Sequence, residues 1–176
     1  MNGVVLENDS EGVLYHNIGV NGAKFSDYNK HPLFFEQLKA LNPDLIIVSL
    51  GTNESFNSMN SVDFMEQLKL FIQNVKDQNP NAEILITTPQ PSQFQKKIPN
   101  EIVADYTKKI IENAVPLNYA VWDMFDQLGG LRGILKNKKE GILSSDGVHY
   151  SVKGYEKQGN LLSEALLNSF KIYKNK

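Results

Sequence analysis

The sequence predicts an α/β fold in which a parallel sheet carries helices on both faces. Two observations point there. Short apolar runs of strand length alternate with segments of helical periodicity, and three polar clusters, two of them glycine-centred, each follow such a run. At 176 residues, 41% hydrophobic and 22% charged, the chain has the size and composition of a single globular domain spanning residues 1–176.

The elements follow in order. Gly3-Val4-Val5-Leu6-Glu7 and Val13-Leu14-Tyr15-His16 suit two strands joined by a hairpin turn over Asn8 to Gly12. Leu14 to Ile18 is apolar enough for a strand, and Gly19-Val20-Asn21-Gly22 then punctuates the chain as a turn. His31-Pro32 opens a short helix whose Leu33, Phe34, Leu38 and Leu41 share a face, and Asn42-Pro43 ends it. Leu45 to Leu50 is a continuous, partly β-branched run of the kind found in strands covered on both faces. Gly51-Thr52-Asn53-Glu54 lies just beyond its carboxyl end.

The pattern then repeats. Phe64, Met65, Leu68, Phe71, Ile72 and Val75 mark an amphipathic helix closed by Asn79-Pro80, and Ala82 to Thr87 reads as a strand. A loop with three prolines, Thr88 to Pro99, precedes a third helix marked by Ile102, Val103, Tyr106, Ile110 and Ala114. Tyr119 to Trp122 is a last short strand, and Gly129 to Gly141 reads as a glycine- and lysine-rich loop leading to Asp146. Val152, Tyr155, Leu162, Leu166 and Phe170 predict a C-terminal helix of about five turns.

Several function classes are disfavoured. With 18 Lys+Arg against 20 Asp+Glu the net charge is −2, and the basic residues form no stripe that would grip nucleic acid. The absence of cysteine excludes a disulfide framework, a thiolate zinc site and a cysteine nucleophile. No apolar run is long enough to span a membrane, no signal peptide is expected, and no glycine-rich phosphate loop follows a predicted strand.

In open parallel sheets, ligands bind beyond the carboxyl ends of the strands. Gly19–Gly22, Gly51–Glu54 and the loop ending in Asp146–His149 all fall there. Of three histidines only His149 has a carboxylate three residues before it. Asp146 at that spacing can hold one ring nitrogen and leave the other as a general base for a hydroxyl nucleophile. The Asn53 amide and the Gly22 N–H are candidate donors to a developing oxyanion. Taken alone each has a plainer reading: Asp146 and His149 flank a surface turn, Asn53 is a turn asparagine, and Gly22 serves a positive φ.

In this order and placement, the three clusters resemble the SGNH or GDSL hydrolase superfamily over Asn17 to Phe170. Gly19-Val20-Asn21-Gly22-Ala23 is similar to the family's second block, with its oxyanion glycine at Gly22. Leu50-Gly51-Thr52-Asn53-Glu54 is similar to the third, with its oxyanion asparagine at Asn53 and Glu54 where the family has aspartate. Asp146-Gly147-Val148-His149 is similar to the fifth, which supplies acid and base. Asn17 to Ala23, Ser49 to Glu54 and Trp122-Asp123-Met124-Phe125 further resemble bacterial peptidoglycan O-acetylesterases and related carbohydrate esterases.

The resemblance implies a three-layer α/β/α sandwich with a parallel flavodoxin-like sheet of strand order 2-1-3-4-5. It also implies a serine ester hydrolase acting on acetylated carbohydrate, with no metal or cofactor, and a periplasmic or secreted location. The family's first block, Gly-Asp-Ser on the first, central strand, is absent. Its nearest imitation is Asn8-Asp9-Ser10, but Glu11 to His16 is too short for the helix the family places before the second block, so Ser10 is the weaker candidate nucleophile. The expectation is therefore a chain lacking the first central strand. An upstream segment or a partner chain would complete the sheet, and residues 1–12 would be the tail of an upstream inserted β module. The competing expectation is a catalytically inactive carbohydrate-binding or assembly domain of the same fold.

Overall fold

Three apolar runs lie side by side in the computed structural model, which describes Ser10 and residues 12–175. In chain order the elements are α1 (Phe25–Asn29), α2 (Pro32–Leu38) with a 3₁₀ turn at Lys39–Leu41, β1 (Leu45–Val48), α3 (Thr52–Phe56) and α4 (Ser61–Gln78). They continue with β2 (Glu83–Thr87), β3 (Gln93–Phe94), β4 (Ile98–Pro99), α5 (Glu101–Asn113), β5 (Ala120–Trp122), α6 (Met124–Gln127), α7 (Gly130–Lys139) and α8 (Val152–Lys174). β1, β2 and β5 form a parallel sheet in that order, with Ile46 opposite Ile84 and Ile86 opposite Val121. β3 and β4 make a small antiparallel ribbon inside the predicted proline loop.

The strand–helix alternation produces the predicted α/β architecture because each crossover carries an amphipathic helix back over the sheet. Ile46, Val48, Ile84, Ile86 and Val121 share one face of the sheet and pack with α1, α2, α4 and α5. Phe71 of α4 meets Phe25, Phe35 and Tyr28 edge to face, and Phe64 stacks on Tyr106 of α5 at 3.9 Å with the rings 6° apart. Asn60 caps α4 by accepting from the N–H groups of Val62 and Asp63. A second cluster joins Met124, Leu128, Ile134, Ile142, Leu143 and Tyr150. Among the described residues no helix is long and apolar enough to cross a membrane.

Three expectations are corrected. Leu14 to Ile18 is not a strand; it has no regular structure, and Leu14 and Ile18 are exposed. A strand needs a neighbouring ladder, and among the described residues none runs beside it. β1 is not covered on both faces: Val48 is buried, whereas Leu45 and Ile47 are exposed on the opposite side. Among the described residues no strand pairs with the outer edge of β1. Gly129 to Gly141 is not a loop but chiefly α7, whose Leu131, Ile134 and Asn137 turn inward at three-residue spacing. Its lysines occupy the last turn, where cations suit the helix dipole. The expected strand Gly3–Glu7 and most of the turn at Asn8–Gly12 lie outside the described residues.

Candidate active site

The Asp146–His149 loop closes on itself before α8 begins. Ser144 N–H donates to the His149 carbonyl and Gly147 N–H to the Ser144 carbonyl, while Ser151 caps α8 by accepting from Gly154 N–H. Asp146 Oδ1 accepts from the N–H groups of Val148 and His149 at 2.8 and 2.9 Å, and Oδ2 lies 2.9 Å from His149 Nδ1. Partial burial works to raise the Asp146 carboxyl, but the Val148 N–H, the His149 ring and the His149 N–H outweigh it and hold the group below its ordinary value. The imidazole side chain is 66% exposed, open to an incoming hydroxyl.

Gly22 sits at φ +77 in the turn after residue 20, with no atom of the described residues near the place a Cβ would occupy, and the residue is exposed. Asn53, in the first turn of α3, donates from Nδ2 to the Ala23 carbonyl at 2.9 Å. One of its two amide protons is used to hold the Gly22 turn; the other is available to a ligand. Glu54, fully buried, accepts from Phe25 N–H at Oε1 (2.8 Å) and from Gly51 N–H at Oε2 (3.1 Å). Burial pushes its carboxyl up, partly offset by those N–H groups.

The loop after β2 links the two halves. The Cβ position of Gly51 is 3.1 Å from Pro89 Cγ, so a side chain there would press into the loop. The next residue, Gln90, donates to the Val148 carbonyl at 3.0 Å, and Gln93 N–H donates to the Gly147 carbonyl at 2.7 Å. Asn100 Nδ2 reaches both Ser55 Oγ of α3 and Ser92 Oγ of the loop. Thr88 accepts from Phe125 N–H and donates to Asp123, tying the carboxyl ends of β2 and β5.

Asp146 and His149 thus form a bonded pair, Asn53 is bonded to the Gly22 turn, and Pro89–Gln90 joins the two assemblies. Ser10 is exposed and belongs to no described helix or strand. Gln90, Gln93 and Asn100 were not singled out from the sequence; polar residues in a proline-rich stretch carry no signal of what they will hold. Glu54 was visible only as a departure from aspartate.

A family model described as GDSL-like Lipase/Acylhydrolase matches residues 5–157. No curated protein sequence matches the chain. Among solved structures, a peptidoglycan O-acetylesterase is 25% identical with a TM-score of 0.78, covering 86% of this chain and 45% of that one. An acetyl xylan esterase is 22% identical (TM-score 0.64; 86% and 78% covered), and a candidate GDSL-like lipase from Parabacteroides merdae is 18% identical (TM-score 0.68; 85% and 71%). The chain therefore spans less than half the length of the first of these, and the other two establish likeness of fold.

Proposed function

Because the chain belongs to the GDSL-like lipase/acylhydrolase family over residues 5–157, we propose that it carries the base and oxyanion half of a serine ester hydrolase that removes acetyl groups from carbohydrate or peptidoglycan. The observation that carries this reading is the Asp146–His149 pair, bonded at Nδ1 so that Nε2 is the nitrogen left to serve a hydroxyl. His149 takes the proton of the serine hydroxyl as Oγ bonds to the ester carbonyl carbon. The resulting oxyanion is held by Gly22 N–H and by the second proton of the Asn53 amide. His149 then protonates the departing alcohol as the ester C–O bond breaks, and water, activated by the same base, releases the acyl group.

The nucleophile is proposed to arrive on a strand that pairs with the edge of β1 left unpaired among the described residues, from an upstream segment or a partner chain. Exposure of Leu45 and Ile47 beside that edge supports this. Ser10 is the alternative nucleophile within the chain. By likeness to the peptidoglycan O-acetylesterase the site of action is proposed to lie outside the cytoplasm.

The test is the intact mass of the folded chain after exposure to a fluorophosphonate, with His149→Ala beside it. A single adduct on the wild type that is lost in the variant supports a hydrolase with its serine inside these residues, and peptide mapping then tests Ser10. No adduct on folded protein removes Ser10 and leaves the strand-borne serine. If carbohydrate binding is then found to survive His149→Ala undiminished, a binding domain replaces the hydrolase reading.

A further inference from the structure

An oxyanion site made of donors on two separate segments works only if their separation is fixed to within about 0.5 Å. Here the donors stand on a turn at residue 22 and on a helix starting at residue 52, with no covalent continuity closer than β1 between them. Two ties cross the gap. One is the Asn53 Nδ2 bond to the Ala23 carbonyl, made by a donor side chain itself. The other is Glu54, whose Oε1 takes the N–H of Phe25, three residues after Gly22, and whose Oε2 takes the N–H of Gly51, two residues before Asn53.

We propose that Glu54 is the positioning residue of the oxyanion site, its one carboxylate setting the distance between the Gly22 turn and Asn53. This rests on the hydrolase reading of those two donors. Three features favour positioning over packing alone. Both carboxylate oxygens are engaged, and each holds a backbone N–H at the root of a different donor segment. The carboxylate is fully buried, so no water substitutes for a lost bond. Around it the charged or titratable neighbours are Lys24, at the start of α1, and Tyr106, whose hydroxyl is committed to the Met59 carbonyl. Lys24 carries no acceptor in its side chain, and the Phe25 and Gly51 N–H groups both bond to Glu54. The desolvation that raises the Glu54 carboxyl is a cost borne by the fold at this one place, which fits a group retained for geometry.

Glu54→Gln separates the two roles, because it keeps size and shape but turns an NH₂ toward one of the two N–H groups. The measurement is amide NMR on the full chain, reading Gly22 and Phe25 N–H, Gly51 N–H and the Asn53 side-chain NH₂, with Val75 and Ile84 as distant controls. The expected result is at least about tenfold faster exchange at Phe25 or Gly51, with shifted Gly22 and Asn53 NH₂ signals and unchanged controls. Glu54→Asp, shorter by one methylene, is expected to keep the Gly51 bond and release Phe25. Unmoved Gly22 and Asn53 signals in both variants overturn the proposal, as does equal loss of protection at the controls. With an ester that the wild type turns over, Glu54→Gln is expected to lower kcat about 10²-fold at nearly constant KM; a change in KM alone overturns it. Absence of any turnover by the wild type counts against the hydrolase reading, while the NMR result still decides the role of Glu54.

Discussion

Asp146 holds His149 at two points, through the ring at Nδ1 and through the backbone N–H, each at 2.9 Å. The imidazole is thereby fixed in both tautomer and orientation although it is largely exposed. We predict that Asp146→Asn, measured with any ester the assembled site turns over, lowers kcat by about 10⁴ by presenting an NH₂ to Nδ1 and selecting the wrong tautomer. An effect under tenfold would mean that Asp146 only shapes the loop.

Gly154 and Gly159 make opposite predictions on one helix. A Cβ at Gly154 meets the Ile142 carbonyl and lies 2.9 Å from Tyr150 Cβ, whereas a Cβ at Gly159 meets nothing. Gly154→Ala should cost about 1–3 kcal/mol through overpacking. Gly159→Ala should gain about 0.5–1 kcal/mol through helix propensity. Urea midpoints of the two variants check both signs.

The stacked pair Phe64–Tyr106 sits at the centre of the core, both residues fully buried. Phe64→Ala should lose about 3–5 kcal/mol. Tyr106→Phe keeps the stack but strands the Met59 carbonyl, at about 1–3 kcal/mol. A loss in Tyr106→Phe as large as that in Phe64→Ala, read from equilibrium unfolding, would overturn this ranking of ring over hydroxyl.

Burial raises the Tyr119 phenol to about 12, and its hydroxyl donates to the Ile110 carbonyl. A raised folded value means that the native state holds the proton more tightly than the unfolded chain. That contribution to stability is complete below the ordinary value of 10.0 and is lost as pH rises toward about 12. Absorbance at the phenolate band should therefore show Tyr119 titrating after the exposed tyrosines, and Tyr119→Phe should flatten the fall in stability between those values. Titration alongside the exposed tyrosines would contradict the burial.

The parts of the fold read correctly from sequence are those where periodicity is long and one-sided: α4 from Phe64 to Val75, α5 from Ile102 to Ala114, and β2 from its apolar run. α7 was missed because its glycines and lysines resemble a loop, and its inward residues Ile134 and Asn137 include a polar one whose amide binds the Leu128 carbonyl. Leu14 to Ile18 failed for a different reason. Strand propensity states what a segment fits, not that a neighbour is there to accept it. At the candidate site, the Asp146–His149 contact was legible because an aspartate three residues before a histidine can reach one ring nitrogen across a turn. Gln90 and Gln93 were not, since the Val148 and Gly147 carbonyls they hold are 58 and 54 residues away in the chain.

The outer edge of β1, unpaired among the described residues, accepts a partner usefully in one register only. Side chains alternate faces along a strand, so a partner sliding by a single residue along Leu45–Val48 would exchange every inward group for an outward one. Parallel pairing there carries the partner's carboxyl end toward the segment that bears Asn53. On the proposed reading, a serine delivered in the right register would face Gly22 and Asn53; one residue out, it would face away and the assembled sheet would be whole but silent.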